Sequence, residues 1–172
     1  SPWSHRYSDS LAAREEAGTP NVVGDIRAAL AFLVKEAVGQ SEIEAREAHY
    51  AAKARAAWSQ VPGLTLLGHE EAHRLPIFSF TVRGASGQPV HQQLFTRMLS
   101  DVYGIQARGG CACAGSYAHR LLSIDESRSQ ALLGDLLAGH ELQKPGWVRL
   151  NFSYLMAEET VDYILASVAE LV

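Results

Sequence analysis

The spacing of the apolar residues changes at Pro62-Gly63, and this change restricts the folds open to the chain. Before it, apolar residues recur every three or four positions through two long segments, which predicts two helices. Thr19 is the expected N-cap of the first helix, Gly39 is its expected end, and a capping box at 41–44 predicts the start of the second. After it, strand-like runs alternate with helical runs. This order predicts an α+β fold, with helices packed on a small, mainly antiparallel sheet.

The second part of the chain contains the predicted strands. They are 64–67, 77–82, 105–107 and 147–154, and the predicted helices among them are 89–103, 125–140 and a last helix that buries Val161, Ile164, Leu165 and Val168. The run 147–154 alternates cleanly, with Val148 and Leu150 on one face and Trp147 and Arg149 on the other.

Composition excludes several classes of protein. The chain has 172 residues, 47% of them hydrophobic, and a net charge of −4, which gives no support to nucleic-acid binding. No apolar run approaches the ~20 residues that a membrane helix needs. The first residues have no signal-peptide layout and no initiator Met, so we expect a processed or excised piece of a longer protein. The two cysteines are too close in sequence to form a disulfide framework, and a reducing cytoplasm is the expected location.

The loop 108–115 is the most informative segment for chemistry. Its glycines and alanines leave little side chain to pack, so its backbone can approach a ligand or another chain closely. A thiol here, beside Arg108, can have a lowered pKa and act as a nucleophile. Alternatively, Cys111 and Cys113 are small buried residues. A metal site is a weaker alternative, because Cys-x-Cys supplies two ligands and His119 fits no zinc spacing.

Two further positions are candidates for binding anions. Arg149 is flanked by Trp147 and Asn151 on one strand face and can bind a carboxylate with both arms of its guanidinium group. The alternative is a solvent-facing arginine. Thr19 precedes a helix N-terminus, where free N–H groups and the helix dipole favour phosphate. The alternative is an ordinary N-cap.

Three separated segments together resemble one family, the class V aminotransferases and cysteine desulfurases. They are 14–21 (REEAGTPN), 104–113 (GIQARGGCAC) and 144–154 (KPGWVRLNFSY), and 158–162 (EETVD) is similar to the start of the family's last helix. The order and spacing agree over nearly the whole chain. The resemblance implies the small C-terminal domain of a fold type I enzyme dependent on pyridoxal phosphate (PLP).

The resemblance also implies roles for individual residues. Thr19 matches the residue that reaches the PLP phosphate of the neighbouring subunit in the family's homodimer. Arg149 matches the arginine that holds the carboxylate of the amino-acid substrate, and Arg108 an arginine near that site in part of the family. Cys113 falls where desulfurases keep the cysteine that takes the substrate sulfur.

The family's cofactor lysine has no match in the chain. In the family it lies upstream of the Gly-Thr-Pro motif, whereas Lys35 and Lys53 lie in the predicted long helices and Lys144 in a turn. We therefore expect a fragment, inactive by itself. Residues 1–40 are the expected end of the large PLP-binding domain with a linking helix, and 41–172 the complete small domain.

The leading hypothesis is a homodimeric parent enzyme that uses PLP to act on an amino acid. If it is a desulfurase, Cys113 attacks sulfur; if it is an aminotransferase or an epimerase, Cys113 takes no part. Two alternatives belong to other classes. One is a non-catalytic α+β domain that serves packing or dimerisation, and the other is a metal or redox module built on Cys111 and Cys113.

Overall fold

A computed structural model of the chain describes residues 2–16, 18–69, 74–110 and 115–172. The chain divides into two compact units, residues 1–43 and 44–172. Within the described residues, no helix is long and apolar enough to span a membrane.

The first unit is helical. Helix α1 spans Leu11–Glu15, and helix α2 runs from Val22 to Val38. The expected N-cap Thr19 is wrong, because the side chain of Asn21 caps the helix by accepting from the backbone N–H of Gly24 at 3.1 Å. Gly39 ends α2 with a positive φ of 89°, as predicted.

The remaining elements form the predicted α+β arrangement, which is confirmed. In chain order they are α3 (Gln40–Trp58), β1 (Leu64–Leu66), β2 (Ile77–Arg83), β3 (Pro89–Val90), α4 (Gln92–Tyr103), β4 (Arg108–Gly110), α5 (Gly115–Leu121), α6 (Glu126–Leu137), a 3₁₀ turn (Glu141–Gln143), β5 (Trp147–Asn151) and α7 (Glu158–Leu171). The strand order is β1-β2-β5-β4, β3 pairs separately with β2, and every one of these pairings is antiparallel.

Two boundaries differ from the sequence prediction. The helix expected from Pro89 begins only at Gln92, because residues 89–90 pair with β2 and the His91 side chain caps the helix. The strand expected at 105–107 is displaced to 108–110, where it pairs with β5. The helix start was predicted too early because Val90 fits the apolar spacing of the helix. In the structure Val90 packs against the core from strand β3.

Trp58, at the end of α3, lies at the centre of the core. Its side chain is fully buried, and its ring contacts Phe78, Phe80 and Phe152 with centroids 5.4, 5.5 and 5.8 Å away. The indole N–H donates to the carbonyl of Leu165 in α7 at 3.3 Å. One side chain therefore ties α3 to the sheet and to the last helix.

Candidate active site

Arg108 and Arg149 lie directly opposite each other on neighbouring strands. The antiparallel register of β4 and β5 makes them Cα partners, so their side chains leave the same face of the sheet. Partners in such a pair have Cα atoms about 5 Å apart, and like charges in this position are destabilising. Neither arginine forms an ion pair with the part of the chain that the structure describes. The pairing is therefore costly unless an anion lies between them.

A cavity of about 580 Å³ opens at this edge of the sheet. Its wall comes from the end of α4 and the segment that leads into β4, from β5 and from α7; the lining residues are Tyr103, Gly104, Ile105, Gln106, Ala107, Arg108, Arg149, Leu150, Asn151, Met156, Thr160, Tyr163 and Ile164. None of these residues is acidic, and Arg108 and Arg149 carry the only formal charges among them. The cavity has the size of a small-molecule site and a positive charge at one wall.

Two tyrosines also line the cavity. The hydroxyl of Tyr163 in α7 donates to the backbone carbonyl of Tyr103 at 3.0 Å, which satisfies one of the last carbonyls of α4. Burial and then the Glu170 carboxylate raise the pKa of the Tyr103 phenol, so this group stays neutral at physiological pH. The two tyrosines therefore add polar groups, and no negative charge, to the lining.

Close backbone packing fixes the position of β4. A Cβ atom at Gly109 would lie 2.8 Å from the carbonyl oxygen of Gln92 in α4, and one at Gly146 would lie 2.8 Å from the backbone carbon of Gly110. Real Cβ atoms do not come this close to backbone, so glycine is required at both positions. The sequence predicts that the backbone of the glycine-rich loop approaches a ligand or another chain closely. At Gly109 the backbone instead approaches the first residue of helix α4 in the same chain.

The structure brings two of the four predicted site residues together. Arg108 and Arg149 line one cavity. Thr19 lies in the first unit, where it is exposed and its hydroxyl makes no hydrogen bond to the described residues. Cys113 lies outside the described residues, so its role stays a prediction.

His119 has a structural role. Its Nδ1 lies 2.8 Å from the carbonyl oxygen of Gly115, and its Nε2 lies 2.9 Å from the hydroxyl oxygen of Ser129. The carbonyl can only accept, so Nδ1 donates to it. The first contact lies within α5, and the second joins α5 to α6.

Sequence reasoning missed the polar residues that the helices contribute to the cavity. Tyr163 and Thr160 fall outside the buried stripe of α7, so the pattern assigns them only to its solvent side. Tyr103 is the last residue before the helix-ending Gly104 and carries no motif. Asn151 had a usable signal, because it shares a strand face with Arg149.

The family model described as aminotransferase class-V matches residues 3–164 of the chain. A search of curated proteins gave no significant match. Among solved structures, the chain is similar to an apo cysteine desulfurase from Thermococcus onnurineus NA1, with 25% identity and a TM-score of 0.67. It is also similar to the cysteine desulfurase CsdA of Escherichia coli in an S-sulfonic acid form, with 26% identity and a TM-score of 0.60.

The two structural matches cover most of this chain but only about a third of each cysteine desulfurase chain. The similarity covers 93% of this chain and 33% of the Thermococcus enzyme, and 97% of this chain and 36% of the Escherichia enzyme. The chain thus spans about a third of the length of the solved structures that it matches.

Proposed function

The chain belongs to the class V aminotransferase family, and from this premise we propose that it forms the C-terminal part of a PLP-dependent enzyme acting on an amino acid. The observation that supports this most directly is the arginine pair, Arg108 and Arg149, in a cavity whose lining holds no acidic side chain. An amino-acid substrate supplies the anion that such a pair needs.

Arg149 is proposed to bind the substrate carboxylate, with Arg108 assisting from the neighbouring strand. A guanidinium group donates two parallel hydrogen bonds to a carboxylate, and such charge-assisted bonds are among the strongest in proteins. Leu150 and the strand pairing hold the Arg149 backbone, so the binding group sits on a rigid element. The carboxylate would offset the repulsion between the two arginines, which a neutral ligand would leave in place.

PLP is the proposed cofactor, and the chain's residues fit part of its binding site. When bound, PLP acts as an electron sink for the substrate's α-carbon. The exposed Thr19 hydroxyl, free of hydrogen bonds to the described residues and just ahead of a helix N-terminus, suits a phosphate contact. We propose that this contact reaches the cofactor of a neighbouring subunit in a homodimer.

Lys53 is a poor candidate for the cofactor's lysine anchor. Lys53 in α3 is paired with Glu158 and, at 2.6 Å, with Asp162, and the hydrogen bonds to these carboxylates raise its pKa above the ordinary value. An amine must lose its proton to bond covalently to an aldehyde, and this pairing opposes the loss. We propose that the anchor lies outside these 172 residues and that the chain alone is inactive.

We also propose a domain boundary near residue 40, from the resemblance to the family. Residues 1–40 are proposed to be the end of the large PLP-binding domain with a linking helix, and 41–172 the small domain. The first of these contains α2, whose apolar side chains are exposed; Val23 and Phe32, for example, are 69% and 70% exposed. A helix of this composition requires an apolar surface to pack against.

Reduction with borohydride in the presence of PLP tests the position of the anchor. Borohydride converts a lysine–PLP linkage to a stable amine, and peptide mass mapping then identifies the labelled residue. We expect weak, scattered labelling of Lys35, Lys53 and Lys144, or none. Stoichiometric labelling of one of them would contradict the proposal, since the chain would then carry its own anchor.

Cys113 is proposed as the sulfur-accepting nucleophile of a desulfurase reaction. Both similar solved structures are described as cysteine desulfurases, and Cys113 follows Arg108 by five residues in the sequence. A positive neighbour lowers the pKa of a thiol and raises its thiolate fraction. A cytoplasmic location is part of the proposal, because a sulfur-accepting thiol must stay reduced.

Replacing Cys113 by alanine in the complete enzyme separates desulfurase from aminotransferase or epimerase chemistry. We expect sulfur release from cysteine to be lost while binding of the amino acid persists, because the thiol is the group that takes the sulfur. Cys111→Ala is the matched control and is expected to keep activity. Full sulfur release by the Cys113→Ala enzyme would remove the desulfurase assignment and leave the carboxylate site in place.

A further inference from the structure

A second, smaller cavity lies between the C-terminal end of α3 and the chain that leaves β1. It has a volume of about 250 Å³, and it shares no lining residue with the cavity that contains Arg149. Three polar side chains reach it, those of Arg55, Ser59 and Arg74, and Leu66 and Leu67 supply an apolar wall. The proposed amino-acid site makes no use of any of these residues.

Arg74 lies against the Phe78 ring and close to Gly68. Its guanidinium carbon lies 5.8 Å from the centroid of the Phe78 ring, a favourable cation–π distance. A Cβ atom at residue 68 would lie 3.0 Å from Arg74 Nη1, so Gly68 leaves the space that the guanidinium group fills. Gly68 also has a positive φ of 97°, which other residues rarely adopt.

Arg55 places a second positive charge at the same cavity. It lies in the last turn of α3, where the helix dipole favours a cation. Burial, followed by the charge of Arg55, lowers the pKa of Arg74, as expected of two like charges brought close together. Over residues 2–16, 18–69, 74–110 and 115–172, no carboxylate forms an ion pair with either arginine.

We propose that this cavity is a binding site for a small phosphate-bearing ligand. The guanidinium groups of Arg55 and Arg74 offer several N–H donors and two positive charges, which suits a dianion better than a singly charged carboxylate. The Ser59 hydroxyl donates to the carbonyl oxygen of Ala56 at 3.4 Å, so the two arginines are the ligand's main donors. The apolar wall gives the organic part of the ligand a surface to contact. The residues of this cavity are separate from those of the proposed amino-acid site. A negative result for phosphate binding would therefore leave the proposed function unaffected, and the reverse also holds.

Titration of the isotope-labelled chain with inorganic phosphate, followed by amide NMR at constant ionic strength, tests this proposal. We expect saturating shifts at the amides of Ser59 and Gly68. Arg55→Gln and Arg74→Gln should each weaken binding by about tenfold, because each removes hydrogen bonds to a charged ligand. Arg83→Gln is the matched control; this arginine bonds to the carbonyl of Gly87, lines neither cavity, and its loss should leave the affinity unchanged.

Two further variants keep the test decisive. Arg149→Gln should leave the shifts at Ser59 and Gly68 intact, which distinguishes this cavity from the amino-acid site. If Arg74→Gln disturbs the fold, as loss of spectral dispersion would show, Arg74→Lys preserves the charge and removes the planar fork, and an intermediate affinity is expected.

Three results would overturn the proposal. Shifts that rise linearly without saturation would show no site, and acetate binding as tightly as phosphate would show a carboxylate site instead. The third result concerns Glu70 and Glu71, which lie outside the described residues. If phosphate binds only after both are changed to glutamine, the chain's own carboxylates neutralise the two arginines and the cavity is not a ligand site.

Discussion

Replacing Arg149 by glutamine in the complete enzyme is expected to raise KM for the amino-acid substrate by about 100-fold, which corresponds to about 2.7 kcal/mol of binding free energy. The proposed reason is that Arg149 donates two charge-assisted hydrogen bonds to the substrate carboxylate, and glutamine offers at most one neutral bond. Because Arg149 sits in mid-strand between β2 and β4, the position of the side chain depends on the sheet, which glutamine leaves intact. Steady-state kinetics measured with the amino acid and with the corresponding amine tests this.

The amine is the informative comparison, because it lacks the carboxylate. Wild type should prefer the amino acid strongly, and the Arg149→Gln enzyme should lose most of that preference. Arg108→Gln should have a smaller effect in the same direction. Arg83→Gln, on an exposed part of β2, is the control for loss of a positive charge. An unchanged KM for the Arg149→Gln enzyme would refute the carboxylate assignment, whichever reaction the enzyme catalyses.

Replacing Trp58 by alanine is expected to lower the free energy of unfolding of the chain by about 4 kcal/mol. The substitution removes the largest fully buried side chain and leaves a cavity among Phe78, Phe80 and Phe152. It also removes the hydrogen bond to the Leu165 carbonyl. Urea unfolding followed by far-UV circular dichroism measures the loss without relying on tryptophan fluorescence.

Two matched substitutions separate the contributions of Trp58. Trp58→Phe keeps an aromatic ring but not the N–H group, and about 1–2 kcal/mol of destabilisation is expected. Trp3→Ala removes a side chain that is 91% exposed and should leave the unfolding midpoint unchanged. If Trp58→Ala were as stable as wild type, the aromatic cluster would not be the centre of the core.

The parts of the fold predicted correctly from sequence are those fixed by local chemistry. Gly39 and Gly104 end their helices because each adopts a positive φ, and the alternation at Val148 and Leu150 places both in the core. Arg149 was identified by its strand face. Such features depend on a residue and its near neighbours, which a single sequence displays.

The parts that were missed depend on distant pairings. The strand expected at 105–107 forms at 108–110, where it pairs with residues 147–149 of β5. No local pattern shows that Arg108 faces Arg149, or that Tyr163 reaches the end of α4. The resemblance to a family supplied roles for Thr19 and Cys113, and for those two residues it remains the main support.

The number of residues between Gly104 and Arg108 determines which face of the sheet carries the Arg108 side chain. Side chains along a strand alternate between faces, so removing one residue here would shift β4 by one position and turn Arg108 to the opposite face. Gly109 would then stand across from Arg149, and the charge pair would vanish while both arginines were still present. Mutational scans that only exchange one amino acid for another would not reveal this dependence. The pairing of the two arginines at the cavity therefore depends on the length of the segment between Gly104 and Arg108 as much as on the identity of the residues.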